Sequence, residues 1–231
     1  MMDNTNGTDA GKTTLHGGVA PNAYDGITDP VYGSASRQLK GMALRWSQSL
    51  IPQVLRDKPN WTVFELTWNA QKGKYDKVPA KWKGRAKCGD PSTWRTWDDI
   101  LYMCSVKTEK WNPEYDEQMV DGVKKSFAPA YALSEDDGIF CIDLDHIYDA
   151  YGQCDPIAAV LLDKFKGTYC EQSKSGDGAH IFGYGKPELN GNVTVEIEGE
   201  RLDIEVYSKD RFICMTGIGI DSSKVKEASN D

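Results

Sequence analysis

The chain has 231 residues, 39% of them apolar, enough to bury one large core or two small ones. A formal net charge of -8 excludes a uniformly basic nucleic-acid coat but leaves room for a local basic channel on an acidic body. Cys88, Cys104, Cys141, Cys154, Cys170 and Cys214 form no Cys-x-x-Cys pair and no Cys/His cluster, which argues against zinc and for free thiols in a reducing cytoplasm. No stretch is long and apolar enough to span a membrane, and the N-terminus lacks the apolar core of a signal peptide.

In chain order, residues 1–36 are rich in Gly, Asn, Asp, Thr and Ser and predict a flexible arm. Gly11-Lys12-Thr13-Thr14 looks like the end of a phosphate loop, but the upstream glycine spacing is wrong and no strand precedes it. Apolar spacing predicts a helix over 38–56, its end disturbed by Pro52. Residues 61–68 read as a strand. A basic loop is expected over 72–87, where Lys72, Lys74, Lys77, Lys81, Lys83, Arg85 and Lys87 interleave with Tyr75 and Trp82. Cations mixed with stacking faces suit a single-stranded nucleic acid. Asp90–Trp94 reads as a turn. Thr96 caps a helix to about Val106, with Asp99 answering at the third helical position. Residues 111–125 read as a loop with a short helix, and Phe127–Leu133 as a strand.

The second half is more regular. An apolar strand beginning at Gly138 is expected to end at Asp145. Asp155 then Pro156 starts a helix, a cap followed by proline in the first turn, with Ile157, Val160, Leu161 and Phe165 as its apolar face. Strands follow at 168–172 and 179–184, a hairpin at 193–207 across Gly199, and a last strand at 211–216. The tail from 222 onward reads as loose. The β-α-β-β order suggests an α+β fold, an open sheet with helices on one side, like an RRM palm.

Three groups of residues carry chemistry in this reading. Asp143 and Asp145 are two apart on a strand, so they face the same way about 7 Å apart. Two such anions invite a hard divalent cation, Mg²⁺ or Mn²⁺. The turn Ser173-Lys174-Ser175-Gly176-Asp177-Gly178 ahead of His180 has the small residues of a phosphate nest. Asp203, Glu205 and Tyr207 alternate against Leu202, Ile204 and Val206, which makes Glu205 a candidate third ligand, with Asp203 as the nearby substitute.

Taken in order, these motifs resemble the archaeo-eukaryotic primase superfamily, and within it the primase-polymerase domains of phages and plasmids. The matching residues are Asp143 and Asp145, then Glu171, Ser173, Ser175, Gly176, Asp177, Gly178 and His180. Glu205, Tyr207, Arg211 and Phe212 follow, then Thr216 and Gly217. Lys77-Val78-Pro79 and Asp90–Trp94 resemble the family's N-terminal part, so the likeness runs over residues 60–217. The chain departs from the pattern at Cys170, where Thr is frequent, at Lys174, where Pro is common, and in having Glu as third carboxylate.

The resemblance implies an RRM-like catalytic palm at 135–221 after a smaller N-terminal α/β subdomain at 37–134. It implies two Mg²⁺ or Mn²⁺ ions on Asp143, Asp145 and Glu205, and no zinc. Ser175, Gly176, Asp177, Gly178, His180 and Arg211 would bind a dNTP or NTP. Lys77, Lys81, Trp82, Lys83 and Arg85 would meet single-stranded DNA template and primer. The implied enzyme is a nucleotidyltransferase, a DNA polymerase or primase that replicates a phage, plasmid or other mobile element in the bacterial cytoplasm. A helicase domain or protein is its implied partner. The alternatives are an Asp-x-Asp phosphohydrolase of the haloacid-dehalogenase type, in which His146 stands where glycine is wanted, a metal-dependent glycosyltransferase, and an inactive nucleic-acid-binding replication module.

Overall fold

The structure is a computed structural model that describes residues 51–80, 84–107, 118–120, 123–221 and 225–227. The arm at 1–36, most of the helix expected over 38–56, and Lys81, Trp82 and Lys83 lie outside the described residues. In chain order the elements are α1 (Gln53–Arg56), β1 (Trp61–Asn69), β2 (Lys74–Ala80), α2 (Trp97–Lys107), β3 (Gln118–Val120), β4 (Val123–Leu133) and β5 (Ile139–Leu144). Then follow α3 (Pro156–Lys164), β6 (Cys170–Gln172), β7 (Ala179–Tyr184), β8 (Gly191–Ile197), β9 (Glu200–Tyr207), β10 (Arg211–Cys214), β11 (Gly219–Asp221) and β12 (Lys226–Glu227). The fold is mixed α+β, dominated by antiparallel sheet. No helix among the described residues is long and apolar enough to cross a membrane.

The strands form two sheets. One runs β10-β4-β1-β2, with β3 on β4; the other runs β11-β6-β7-β5-β9-β8, with β12 parallel on β7. Trp61, Val63, Tyr131, Leu133 and Ile213 of the first sheet and Ile139, Cys141 and Phe182 of the second belong to one buried cluster. Trp61 centres it. Its indole N–H donates to the Leu55 carbonyl (3.0 Å), and its ring stands edge-on to Trp97 (4.6 Å) and Tyr131 (5.1 Å). Such aromatic pairs add to the burial they already provide. The opposite face of the second sheet packs Phe140, Ile142, Leu144, Ile181 and Ile204 against Ala158 and Leu161 of α3.

Local signals place most ends where expected. Thr96 and Asp99 exchange side-chain-to-backbone bonds at 3.2 Å, a capping box that starts α2. The Asp155 carboxylate accepts from the N–H groups of Ile157 (2.8 Å) and Ala158 (3.1 Å), starting α3. Glu198 (φ 53°) and Gly199 (φ 86°) make the two-residue turn that sets the β8–β9 register.

Other expectations are corrected. Pro52 precedes α1 rather than disturbing its end, because a residue without an N–H is tolerated where a helix begins. Much of the basic loop is strand β2, paired with β1 from Val63↔Ala80 to Asn69↔Lys74. As an edge strand it carries lysines and Pro79, which make it read as loop. Strands β3 and β4 replace part of the loop expected at 111–125. Val160 of α3 is exposed; Ala158 takes its place on the buried face. Lys226 and Glu227, expected in a loose tail, pair with β7. Strand β10, expected in the palm, pairs with β4 of the first sheet, so the boundary after residue 134 separates the two sheets for every strand but this one.

Candidate active site

Strand register builds the site. Glu171 on β6 lies opposite His180 on β7, His180 opposite Asp143 on β5, and Asp143 opposite Glu205 on β9. Directly opposed residues of antiparallel strands share a face, so four polar side chains form one transverse row. Two residues back along the strands the same face carries Cys141, Phe182 and Tyr207, members or neighbours of the core shared by the sheets. The row is the polar continuation of that core.

His180 is the hub. Its side chain is 4% exposed. Its Nδ1 lies 2.9 Å from Glu171 Oε1 and its Nε2 3.5 Å from Asp143 Oδ1. The first distance is a hydrogen bond; the second is an ionic contact only, since Asp143 Oδ1 has no hydrogen-bond partner. Burial by itself lowers the His180 pKa, but the Asp143 charge and the Glu171 hydrogen bond outweigh it and hold the pKa above the ordinary value. Lys77 of the first sheet is near enough for its charge to oppose protonation of His180.

Asp145 is not on the strand. Strand β5 ends at Leu144, and Asp145 is an exposed turn residue, so strand alternation does not aim it beside Asp143. Register puts Glu205 opposite Asp143; Asp203 is exposed, lies opposite Thr194 and accepts its hydroxyl (2.7 Å). Glu205 Oε2 receives the Arg211 guanidinium (2.8 Å) and the Tyr207 hydroxyl (2.9 Å). Arg211 also lies 4.4 Å from the centre of the Tyr207 ring, a cation–π contact. This bridge joins β10 of the first sheet to β9 of the second.

Among the described residues, no three of the His, Cys, Asp and Glu side chains converge closely enough, as they are oriented, to hold a metal ion. The donor set nevertheless suits one. Asp143 Oδ1 is a buried carboxylate oxygen without a hydrogen-bond partner, and the neighbouring strand presents a second hard carboxylate.

The glycine-rich turn lies beside the row. The Ser173 N–H donates to the Gly178 carbonyl (2.8 Å), the Gly176 N–H to the Ser173 carbonyl (3.0 Å), and the Ser173 and Ser175 hydroxyls meet at 2.9 Å. Gly176 (φ 89°) supplies the left-handed backbone. The Gly176 N–H is therefore spent within the turn. Asp177 pins the segment after β5: its carbonyl accepts the Tyr148 N–H (3.0 Å), and its carboxylate meets His146 Nδ1 (2.7 Å). His146 is left-handed at φ 55°, a conformation costing on the order of 1 kcal/mol in a non-glycine residue. Ser175 is exposed, and Lys174 is buried.

Of the described basic residues over 72–87, Lys72, Lys74, Lys77, Arg85 and Lys87 are all exposed. Trp68 and Tyr75 stack edge-to-face (5.2 Å) on the same hairpin as Lys72, Lys74 and Lys77. Cys88, Cys141, Cys154, Cys170 and Cys214 are free thiols. Burial pushes the Cys141 and Cys170 thiols up and Cys154 to about 11, which leaves them protonated and inert.

In the sequence Glu171 stands out only as a motif match. Its spacing of two from Tyr169 puts those side chains on one face, while its pairing with His180 comes from the β6–β7 register. No protein-family model matches the chain, and neither does any curated protein.

Proposed function

We propose that the chain is a primase-polymerase domain that transfers a nucleotidyl group from a nucleoside triphosphate to a 3′-hydroxyl on a single-stranded template. The observation that carries this reading is the row Glu205, Asp143, His180 on three neighbouring strands, beside the Ser173–Gly178 turn. The strand order β9-β5-β7-β6, with α3 between β5 and β6, supports an RRM-like palm. In place of a second helix between β7 and β9 the chain has strand β8, so the palm would be a variant one. The ordered motif likeness to phage and plasmid primase-polymerases supports the same reading.

Asp143 and Glu205, with Asp145 at the strand end, are the residues to hold Mg²⁺ or Mn²⁺. Such ions, when bound, lower the pKa of a bound hydroxyl and neutralise phosphate charge. The protein's own share is position and charge. His180 is locked by burial beside Asp143, and Ser175 offers an exposed hydroxyl at the turn. Arg211, half exposed, neutralises Glu205 and becomes a cation for phosphate once Glu205 turns away. Lys77 and the Trp68–Tyr75 pair give the hairpin the charge and ring faces a single strand needs.

The test supplies labelled dNTPs and NTPs with Mg²⁺ or Mn²⁺ on primed and unprimed single strands. Template-dependent incorporation with pyrophosphate release is expected. Asp143→Asn should lower its rate about 10³-fold or more, the equivalent of several kcal/mol of lost charge stabilisation. Orthophosphate release without template would identify a phosphohydrolase instead. Strand binding with no turnover would identify a non-catalytic module.

A further inference from the structure

Glu171 is fully buried, and its two oxygens are crowded with donors. They receive the Tyr169 hydroxyl (2.5 Å), the Thr216 N–H (3.1 Å) and the Gly217 N–H (2.7 Å). Backbone amides can only donate, so the carboxylate accepts on both oxygens. His180 Nδ1 lies 2.9 Å from Oε1, and a hydrogen on Nδ1 matches the accepting role this oxygen already plays toward the Thr216 N–H. That leaves Nε2 as the ring nitrogen turned toward Asp143, 3.5 Å away.

We infer that Glu171 is a positioning residue: it fixes the His180 ring and keeps a hydrogen on Nδ1, so that Nε2 is the atom presented to the nucleotide beside Asp143. The identity of what Nε2 meets rests on the nucleotidyl-transfer reading; the ring's orientation does not. The other polar contact of the ring is Nε2 with Asp143 Oδ1, at 3.5 Å. That contact is too loose to fix the direction of the ring. Without the Glu171 acceptor, the imidazole can turn over and present a carbon in place of a nitrogen.

The experiment uses the full chain with ¹⁵N-labelled histidine rings. His16, His146 and His180 are its three histidines, so the ring spectrum is simple to assign. The expected result is a protonated Nδ1 on His180 in the wild type, with that signal lost or moved in Glu171→Gln. A bare Nδ1 in the wild type overturns the inference, and that measurement needs no variant to fold. In primer extension, Glu171→Gln should raise KM for the nucleotide about tenfold or more, the scale of outer-shell partners of histidine ligands, and change kcat less. Adding Glu171→Gln to His180→Gln should then change KM no further. A fall in kcat at unchanged KM, tracking the folded fraction, overturns the positioning role. A wild type with protonated Nδ1 but no nucleotidyl transfer supports the positioning of His180 while removing the polymerase reading, so the two failures are distinguishable.

Discussion

Gly178 sits where the glycine-rich turn passes the end of β5. A Cβ built there would meet the Ser173 hydroxyl at 2.8 Å and press on the Leu144 carbonyl, a backbone atom that cannot swing away. Gly178→Ala should therefore destabilise the fold by about 1–3 kcal/mol, read from the urea midpoint, because close-packed sites resist added volume. Asp177 gives a pH signature. Burial pushes its carboxyl up, but hydrogen bonds from Ser175 and His146 outweigh that and hold it below its ordinary 3.8. A carboxyl depressed by folding adds stability above its unfolded pKa and loses it as pH falls through the folded one. Wild type should thus exceed Asp177→Asn in unfolding free energy above pH 3.8, and the gap should close below it. A gap that persists undiminished in strong acid would count against the His146 and Ser175 contacts. At this scale the sequence was informative about Asp143, Gly178 and His180, because each belongs to a short local pattern. It was silent on what holds His180, since two of the donors that surround Glu171 come from Thr216 and Gly217, 45 and 46 residues further along.

Elements with local end signals were legible. The Thr96–Asp99 and Asp155–Pro156 starts are written within four residues, β8 and β9 alternate strictly enough to read, and β7 is a short run buried on both faces after a glycine turn. Strand β2 was not, because an edge strand protects itself with the same lysines that mark a loop. The strand conformation bears on the proposed contact with a single strand. A strand holds Lys77 at fixed spacing on the face of Trp68 and Tyr75, with Lys74 on the opposite face, where a loop would leave both adaptable. Lys77→Ala should flatten the salt dependence of single-strand binding by about 0.7 in the log–log slope if it meets one phosphate. An unchanged slope would remove Lys77 from the interface and leave its influence on His180 as its only electrostatic role.

At the scale of the molecule, the two sheets share one buried cluster and are tied by β10, by the Arg211–Glu205 bridge and by the bonds from Thr216 and Gly217 to Glu171. They should therefore unfold together: tryptophan fluorescence and far-UV circular dichroism should give coincident denaturation curves. Two separated transitions would mean that the sheets are independent units. This joining was hidden from sequence reading, because alternation in 211–216 reveals a strand but not its partner. The passage of residues 211–221 from one sheet to the other also sets an order of events during synthesis. Strands β4 and β6 leave the ribosome well before the segment that completes both, and Glu171 must wait 45 residues for Thr216. Until then one sheet lacks a border strand, the other lacks its neighbour to β6, and a carboxylate bound for the interior stays hydrated. Contacts this distant along the chain slow folding and prolong the exposure of unpaired strands. The nascent protein is thus most vulnerable to aggregation in the interval before residues 211–221 arrive, and the histidine of the site becomes fixed in place only when that interval ends.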